Sequence, residues 1–274
     1  MIAILLATYN SEKYLEIQLN SILAQTNKNW KLYIRDDGSS DKTIAIVKKY
    51  CGMFDNIAIV EDDVQHRGVR DSFFYLLKNV DADYYMFCDH DDFWLPNKIE
   101  VSIKYMQEKE KANPNIPICL YTDAIVVDGS YRIVSKSLWK ISKINPSLSE
   151  KMPFLLMFNS VTGCTMIINK MAKKTLLPIS KNVPMHDVWI AYSVLKTSGI
   201  LFHLDKATLL YCQHGDNAVG ANNVSMNYVK SKICSFKKVI ETNKSIFNWI
   251  NETYRINPWQ YILYKMFYSV IRIF

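Results

Sequence analysis

Three carboxylates occupy four consecutive positions in the segment Asp89-His90-Asp91-Asp92, which directly follows the apolar run Tyr84–Cys88. Like charges this close repel each other unless a cation lies among them. Carboxylate oxygens favour Mg²⁺ or Mn²⁺ over zinc. A solvated acidic turn that caps the following helix is the alternative interpretation. Because the segment follows a buried strand, we predict that it binds Mn²⁺ or Mg²⁺.

A second acidic segment, Asp36-Asp37-Gly38-Ser39-Ser40-Asp41, follows the run Trp30–Arg35. Asp-Gly favours a turn, and Asp41 is expected to cap the next helix. This leaves Asp36 and Asp37 facing a cleft with no structural role. A carboxylate at Asp37 could accept hydrogen bonds from a nucleobase or a ribose.

These segments follow strands in a chain that alternates between strand-like and helix-like hydrophobic patterns. The predicted strands are Ile2–Ala7, Trp30–Arg35, Ile57–Val60 and Tyr84–Cys88, and the predicted helices between them are Glu12–Leu23, Asp41–Tyr50 and Arg70–Leu77. Strands that alternate with helices form a parallel sheet with helices on both faces. We therefore predict an α/β fold with a mostly parallel, Rossmann-like central sheet flanked by helices.

Ligands of such sheets bind beyond the carboxyl ends of the strands. The first strand ends in Thr8-Tyr9-Asn10, the second at Asp36, and the fourth at Asp89. Three polar clusters, two of them acidic, are therefore expected to meet on one rim of the sheet.

The second half of the chain is less regular. We predict strands at Ile118–Thr122, Met166–Ile168 and around Leu201 and Leu209, a turn at Gly163-Cys164-Thr165, and a helix from Asp187 to about Thr197. The expected organisation is a first half (1–115) and a second half (116–221) of the same domain, followed by a basic, aromatic, helical C-terminal extension (222–274).

The charge of the chain is concentrated in the C-terminal extension. Net charge is +7, and residues 222–274 contain eight of the 33 basic residues but two of the 26 acidic ones. The final run Trp259–Phe274 is nearly all apolar and is shorter than the roughly 20 residues that span a bilayer. Two alternatives stay open: insertion into an anionic membrane surface, or packing on the domain or on a partner in a homodimer.

The start of the chain predicts where the protein resides. Met1–Ala7 is apolar but short, it lacks a basic segment before it, and it is predicted to be a buried strand instead of a signal peptide. We expect a cytoplasmic protein that associates peripherally with the inner face of the cell membrane. No nucleic-acid-binding module is recognisable, so no nucleic-acid partner is expected.

The ordered motifs resemble the family 2 glycosyltransferases of GT-A fold, and most closely the rhamnosyltransferase-like branch that assembles bacterial surface polysaccharides. The resemblance covers roughly residues 1–220. It rests on Ala7-Thr8-Tyr9-Asn10, Asp36–Asp41, Cys88-Asp89-His90-Asp91-Asp92-Phe93-Trp94, Gly163-Cys164-Thr165, His186-Asp187-Val188-Trp189 and Gln213-His214-Gly215-Asp216-Asn217. One departure is His90, where this branch usually has Gln.

The resemblance implies a role for each matching position. The donor is expected to contact Ala7, Thr8, Tyr9, Asp37, Arg70 and Asp89; the metal is expected to bind Asp89, Asp91 and His214; and the acceptor or sugar pocket is expected to include Asp92, Trp94, Gly163, Cys164, Thr165, His186 and Trp189. Asp187 is expected to be the catalytic base, although a plain helix cap is the alternative for this residue.

The reaction that this resemblance implies is an inverting sugar transfer. The donor is a UDP- or dTDP-linked hexose or deoxyhexose, and the acceptor is a hydroxyl of a lipid-linked polysaccharide precursor, such as O-antigen or capsule. Two alternatives are an inactive nucleotide-sugar-binding or regulatory protein and a nucleotidyltransferase. The second normally has a Gly-rich, basic loop after the first strand, and Thr8-Tyr9-Asn10-Ser11-Glu12 is neither.

Overall fold

A computed structural model of the protein describes residues 1–180, 182–214 and 236–271. The strands are β1 (Ile2–Thr8), β2 (Trp30–Asp36), β3 (Ile57–Ile59), β4 (Tyr84–Cys88), β5 (Phe93–Trp94), β6 (Ile118–Asp128), β7 (Ile133–Ser135), β8 (Met166–Asn169) and β9 (Ile200–Gln213). The helices are α1 (Leu15–Leu23), α2 (Thr43–Met53), α3 (Val69–Asn79), α4 (Lys98–Ala112), α5 (Leu138–Ile141), α6 (Pro146–Ser149), α7 (Phe154–Met157), α8 (Lys170–Lys174), α9 (His186–Lys196), α10 (Phe236–Tyr254) and α11 (Pro258–Ile271).

The strands of the described residues form one sheet in the order β3-β2-β1-β4-β8-β6-β9-β5, and β7 pairs with β6. Strands β1 to β4 are mutually parallel, and β6 pairs parallel with β9. Strand β8 is antiparallel to both β4 and β6, so β6 and β9 point in the same direction as β1 to β4. The predicted α/β fold with a mostly parallel central sheet is therefore confirmed.

The order of the first four strands determines where a cleft can form. The chain moves outward from β1 through β2 to β3 and then returns to place β4 on the other side of β1. The strand order reverses between β1 and β4, which pair in parallel register from Ile2–Tyr84 to Leu6–Cys88. Ligands of open α/β sheets bind at such a reversal, beyond the carboxyl ends of the two strands.

The core lies on both faces of the sheet. Side chains of β1 alternate, with Ala3 and Leu5 packing on one face and Ile4 and Leu6 on the other. All four side chains are fully buried. Burial on both faces explains why β1 is a continuous apolar run instead of an alternating one.

The second half of the chain differs in part from the sequence prediction. The strands expected around Leu201 and Leu209 form the single strand β9, whose exposed Asp205 and Lys206 interrupt the apolar pattern at an irregularity in the β6–β9 pairing. Helix α4 was not predicted. Its Lys- and Glu-rich sequence obscures the buried residues Ile99, Ile103 and Met106, which lie on one face of the helix.

The described part of the C-terminal extension packs against the domain. Trp249 and Ile250 of α10 are buried in the same hydrophobic cluster as Trp189 of α9. Phe154 of α7 contacts Tyr264 of α11, with ring centroids 5.7 Å apart. Within the described residues, the helices are too short or too polar to cross a membrane.

Candidate active site

The carboxyl ends of β1 and β2 form one wall of the candidate site. Ala7 and Thr8 are buried, and the Thr8 hydroxyl donates a hydrogen bond to the Asp36 carboxylate at 2.9 Å. Tyr9 lies just beyond the strand and is half exposed. Its ring makes an edge-to-face contact with His66, a residue that sequence reasoning did not select. Tyr9 and His66 are therefore the aromatic side chains that border this wall.

Asp36 and Asp37 both have structural roles, which corrects the expectation that neither does. The Asp36 carboxylate accepts hydrogen bonds from the backbone of Gly38 and Ser39 and closes the Asp-Gly turn. The Asp37 carboxylate accepts from the backbone N–H groups of Arg67 and Gly68, each at 2.8 Å. The turn residues are local in sequence, whereas Arg67 and Gly68 precede α3, so Asp37 connects β2 to that helix.

Arg35 is a further residue of this wall that sequence reasoning missed. Its guanidinium group is fully buried and donates to Asp37 at 2.7 Å, to Asp62 at 2.8 Å and to the Ser72 hydroxyl at 2.7 Å. Burial alone would raise the pKa of Asp37, but hydrogen bonds from Arg35, Gly68 and Arg67 hold that pKa below its usual value. Asp37 is therefore ionised and fixed in position. The only sequence signal for the Arg35–Asp37 ion pair is an arginine in a predicted strand two residues before the aspartate.

Two arginines near the start of α3 are engaged by protein groups. Arg67 donates to the Asp62 carboxylate with two nitrogens, at 2.5 and 2.9 Å. Arg70, predicted to contact the donor, donates to Asp71 and to the carbonyl oxygen of Val183. The bond to Val183 ties α3 to the segment that leads into α9. A donor contact of Arg70 stays a prediction.

The acidic segment Asp89–Asp92, which follows β4, forms the second wall of the candidate site. Asp89 is half buried, whereas Asp91 and Asp92 are buried. The Asp91 carboxylate lies 2.8 Å from the imidazole of His214, which is stacked on the Tyr14 ring. Residues 215–217 of the Gln213–Asn217 motif lie outside the described residues. The structure therefore brings together Asp91 and His214, two of the residues expected to bind the metal.

The electrostatics of this segment fit a bound cation. Burial, and then the Asp91 carboxylate, raise the pKa of both Asp89 and Asp92. One Asp92 oxygen accepts from the Cys212 backbone N–H, and the other is buried with no hydrogen-bond partner among the described residues. An unsatisfied buried carboxylate oxygen is costly unless a cation compensates it. The residues present thus fit a divalent metal.

The potential ligand atoms of Asp89, Asp92 and Cys164 lie within 4.8 Å of one another. Burial raises the pKa of the Cys164 thiol well above its usual value, so this thiol stays protonated. A protonated thiol is a poor ligand for Mn²⁺ or Mg²⁺, which prefer oxygen. Cys164 therefore packs beside the carboxylates instead of forming a metal bond.

Two fully buried residues that follow the acidic segment in the chain, Trp94 and Lys98, lie in the core beneath the candidate site. Trp94 has no exposed surface, so it lies in the core and not on the wall of a sugar pocket as we had predicted. The Lys98 ammonium group, also fully buried, lies 4.9 Å from the Trp94 ring centre and donates to the Thr208 hydroxyl at 3.2 Å. Burial lowers the pKa of Lys98 to about 8. Sequence reasoning did not select Lys98, because a lysine at a helix start normally reads as a surface residue.

Asp187 lies in the first turn of α9. Its carboxylate accepts hydrogen bonds from the backbone N–H groups of Val188 at 2.6 Å and Gly163 at 3.2 Å. Burial raises the pKa of Asp187 to about 7, and its carboxylate in turn raises the pKa of Asp89. The base candidate and the acidic segment therefore lie close enough to interact electrostatically.

The turn Gly163–Thr165 lies between these two groups. Gly163 donates to Asp187, and the next residue, Cys164, adjoins the carboxylates of Asp89 and Asp92. Thr165 is buried and its hydroxyl donates to the carbonyl oxygen of Thr162, which closes the turn.

The imidazole of His186 packs directly under this turn. A Cβ atom added at Gly163 would lie 2.6 Å from the His186 Nε2 atom, so glycine is needed for the close approach. The ring contacts Phe73 at 4.2 Å between centroids, and burial lowers its pKa to about 3, which keeps it neutral. Trp189, one turn later, is buried and donates to the Leu176 carbonyl oxygen. His186 and Trp189 therefore support the site from the core side.

Comparison with known proteins agrees with this geometry. The family described as "Glycosyl transferase family 2" matches residues 3–176. The dTDP-rhamnosyl transferase RfbG of Shigella flexneri is 30% identical over 235 residues, which cover 79% of this chain and 74% of that protein.

Solved structures show the same fold. S. aureus TarS in complex with UDP-GlcNAc superposes with a TM-score of 0.58 and 20% identity over 79% of this chain and 59% of that chain. Mannosyltransferase PcManGT from Pyrobaculum calidifontis, in complex with GDP-Man and Mn²⁺, gives a TM-score of 0.60 and 14% identity over 79% of this chain and 58% of that chain. The chain thus spans about three-fifths of the length of these two solved chains. The family match, the relative and the shared fold show that the chain belongs to glycosyl transferase family 2, on the rhamnosyltransferase-like side of that family.

Proposed function

We propose that the protein is an inverting, metal-dependent hexosyltransferase. Its donor is a UDP- or dTDP-linked hexose or deoxyhexose, and its acceptor is a hydroxyl of a lipid-linked polysaccharide precursor, such as O-antigen or capsule. The reaction takes place on the inner face of the bacterial cell membrane. The observation that carries the proposal is the Gly163–Thr165 turn, which joins a carboxylate of raised pKa, Asp187, to the acidic segment Asp89–Asp92.

The donor half of the site lies between the ends of β1, β2 and β4. Asp37 is held ionised by Arg35 and by two backbone N–H groups, so its position is set before any ligand binds. Such a fixed carboxylate can accept a hydrogen bond from a base or a ribose without an ordering cost. Ala7, Thr8 and Tyr9 complete the wall on which the nucleoside rests.

The diphosphate half of the site is the acidic segment. A divalent cation bound by Asp89 and Asp91, with His214 beside Asp91, would neutralise charge on the departing diphosphate. The dTDP-rhamnosyl transferase RfbG favours dTDP-rhamnose as the first donor to test, and two solved proteins of the same fold bind UDP-GlcNAc and GDP-Man.

Asp187 is the proposed base. The acceptor oxygen forms a bond to the anomeric carbon as the bond from that carbon to the diphosphate oxygen breaks, and the nucleoside diphosphate leaves with the electron pair. The hydroxyl proton passes to the Asp187 carboxylate, whose raised pKa suits it for proton transfer near neutral pH. The Gly163 N–H holds the carboxylate in place during the transfer.

The test is a thermal-shift and donor-hydrolysis screen of the purified full chain. The donors are UDP-, dTDP- and GDP-sugars, each with Mn²⁺, Mg²⁺ or EDTA. Metal-dependent stabilisation and slow hydrolysis by one donor are expected, and Asp91→Ala should abolish both. Asp63→Ala, which removes an exposed carboxylate, is the matched control. Stabilisation by a donor without hydrolysis or transfer would support the inactive nucleotide-sugar-binding alternative.

The stereochemistry needs a separate measurement. Proton NMR of the product formed from the active donor reports the anomeric configuration of the transferred sugar. Inversion is expected, because one base and one acidic segment suffice for a single displacement. Retention of the donor configuration would overturn this part of the proposal.

A further inference from the structure

The last described helix, α11, has two different faces. On one face Tyr261 is buried, and Tyr264 contacts Phe154 of the domain. On the other side of the helix, five large apolar side chains are 46–76% exposed, and we call them the α11 stripe: Trp259, Ile262, Leu263, Met266 and Phe267. Their spacing of three and four residues places them along one side of the helix. Phe267 lies at the edge of the stripe, where its ring also contacts Phe154.

A stripe of this kind is unusual for a surface that faces only water. Single exposed apolar residues are common, but contiguous apolar patches mark surfaces that bind another molecule. Helix α11 has 14 residues and is therefore about 21 Å long, so the stripe forms an extended apolar edge. The helix is held in place by its buried face, so the stripe is presented on a fixed support.

Charge decides which partner fits the stripe. Residues 222–274 contain eight basic and two acidic residues. Among the described basic side chains, Lys244 and Arg255 are exposed, whereas Lys265 is partly buried beside the rings of Phe158 and Tyr261. One of the two acidic residues, Glu252, accepts a hydrogen bond from Asn182 of the domain at 2.8 Å. An apolar stripe within a strongly basic segment matches the interface of an anionic bilayer, where acyl chains and negative headgroups lie side by side.

We propose that the α11 stripe is the membrane-contact surface of this protein. Helix α11 lies in the plane of an anionic bilayer, the stripe inserts among the acyl chains, and basic residues of the extension contact the headgroups. Trp259 suits the headgroup boundary, where the indole is favoured. The domain stays outside the bilayer, because the opposite face of α11 is occupied by α7.

This inference rests on the proposed function in one respect, since it explains how the enzyme reaches a lipid-linked acceptor. Helix packing connects α11 to the proposed active site. Helix α11 packs on α7, α10 packs on α9, and α9 begins with Asp187. A membrane contact at α11 therefore orients the helix that carries the proposed base relative to the bilayer surface.

The experiment is vesicle flotation of the full chain. Vesicles of phosphatidylglycerol with phosphatidylcholine are compared with vesicles of phosphatidylcholine alone. The wild-type chain should float with the anionic vesicles, and binding should weaken at higher salt. Trp259→Ser combined with Leu263→Ser should lower the partition coefficient about 10²-fold, since burial of each side chain contributes roughly tenfold. Both residues are exposed, so the variant should fold.

The matched control is Ile133→Ser combined with Val134→Ser, which removes two exposed apolar side chains of β7. It should float like the wild-type chain. Equal flotation of the stripe variant and the wild-type chain would overturn the inference. A second result would also overturn it: light scattering shows a wild-type dimer, and the stripe variant is a monomer that still floats with the vesicles. The stripe would then be a contact with a second copy of the chain.

Donor hydrolysis in solution separates this inference from the proposed function. The stripe variant should retain wild-type hydrolysis of the soluble donor, because the stripe lies outside the cleft. Hydrolysis without flotation would leave the glycosyltransferase proposal standing and reject the membrane surface. Flotation of the wild-type chain without donor hydrolysis would support the membrane surface and reject the glycosyltransferase proposal.

Discussion

The raised pKa of Asp187 predicts how activity depends on pH. Burial raises this pKa from 3.8 to about 7. The carboxylate is the form that accepts a proton, so about one-tenth of the base is active at pH 6 and about nine-tenths at pH 8. We expect kcat/KM to rise about tenfold between these pH values. With an ordinary carboxylate pKa the rate would be flat over the same range.

The assay is initial transfer rate at saturating Mn²⁺ from pH 5.5 to 8.5. Saturating metal keeps Asp89 ionised, so the titration of that neighbour does not enter the profile. Asp187→Asn should lose about 10²- to 10⁴-fold in rate, and its residual rate should no longer rise between pH 6 and pH 8. Asp63→Asn, at an exposed carboxylate, should keep the wild-type profile. A flat wild-type profile would refute the assignment of Asp187 as a base with a raised pKa.

The same shift has a consequence for stability. The pKa of Asp187 is higher in the folded chain than in the unfolded chain, so the folded state holds the proton more tightly. This contribution to the free energy of unfolding is fully present below pH 3.8 and is lost as pH rises to about 7. Relative to Asp187→Asn, the wild-type chain should therefore become less stable between pH 5 and pH 7, which thermal unfolding of both proteins can measure.

Three further predictions concern the support of the site. Gly163→Ala places a Cβ atom 2.6 Å from the His186 imidazole and should lower kcat about 10²-fold, because it displaces the N–H that holds Asp187. The control Gly52→Ala, which has open space around the added Cβ atom, should keep the wild-type kcat. Equal kcat values for the two variants would contradict the close-approach argument. Arg35→Met leaves the buried Asp37 carboxylate without its cation, while Asp62 keeps its ion pair with Arg67, and should cost about 3–5 kcal/mol of unfolding free energy in denaturant titration; a loss under about 1 kcal/mol would show that the Arg35–Asp37 pair is solvated. Asp91→Asn should weaken Mn²⁺ binding, measured by electron paramagnetic resonance, at least tenfold, and unchanged affinity would place the metal elsewhere.

Much of the first half of the fold was predictable from local patterns. Strands β1, β2, β3 and β4 lie within one residue of their predicted ends, because continuous apolar runs bounded by polar clusters are a local property. The ends of the predicted helices differ from the observed ends by at most three residues. Asp41 was expected to cap α2, but the N-cap position is Lys42; from one residue earlier, the Asp41 carboxylate accepts from the Thr43 N–H at the start of the helix.

The second half was less predictable, because its pattern depends on distant partners. Strand β8 lies between β4 and β6 and is antiparallel to both, although it follows neither directly in the chain. No periodicity within Met166–Asn169 specifies that position. The expected division at residues 115 and 221 stays a prediction, and the single sheet shows that strands from both halves share one core.

The sequence by itself determined which chemistry is available. It places carboxylates after β2 and β4, an acidic residue at the start of α9 and a glycine in the turn before β8, because residue types and turn preferences are encoded locally. It also sufficed to indicate the family.

Only the tertiary structure decided which of these groups act together. It brings His214 to Asp91 across 123 residues, Gly163 to Asp187 across 24, and Arg35 to Asp62 across 27. It also separates α11 into a buried face and an exposed stripe. The physical reason is that burial, and with it the pairing of charges and the shift of a pKa, depends on which segments pack together, and that is a property of the whole fold.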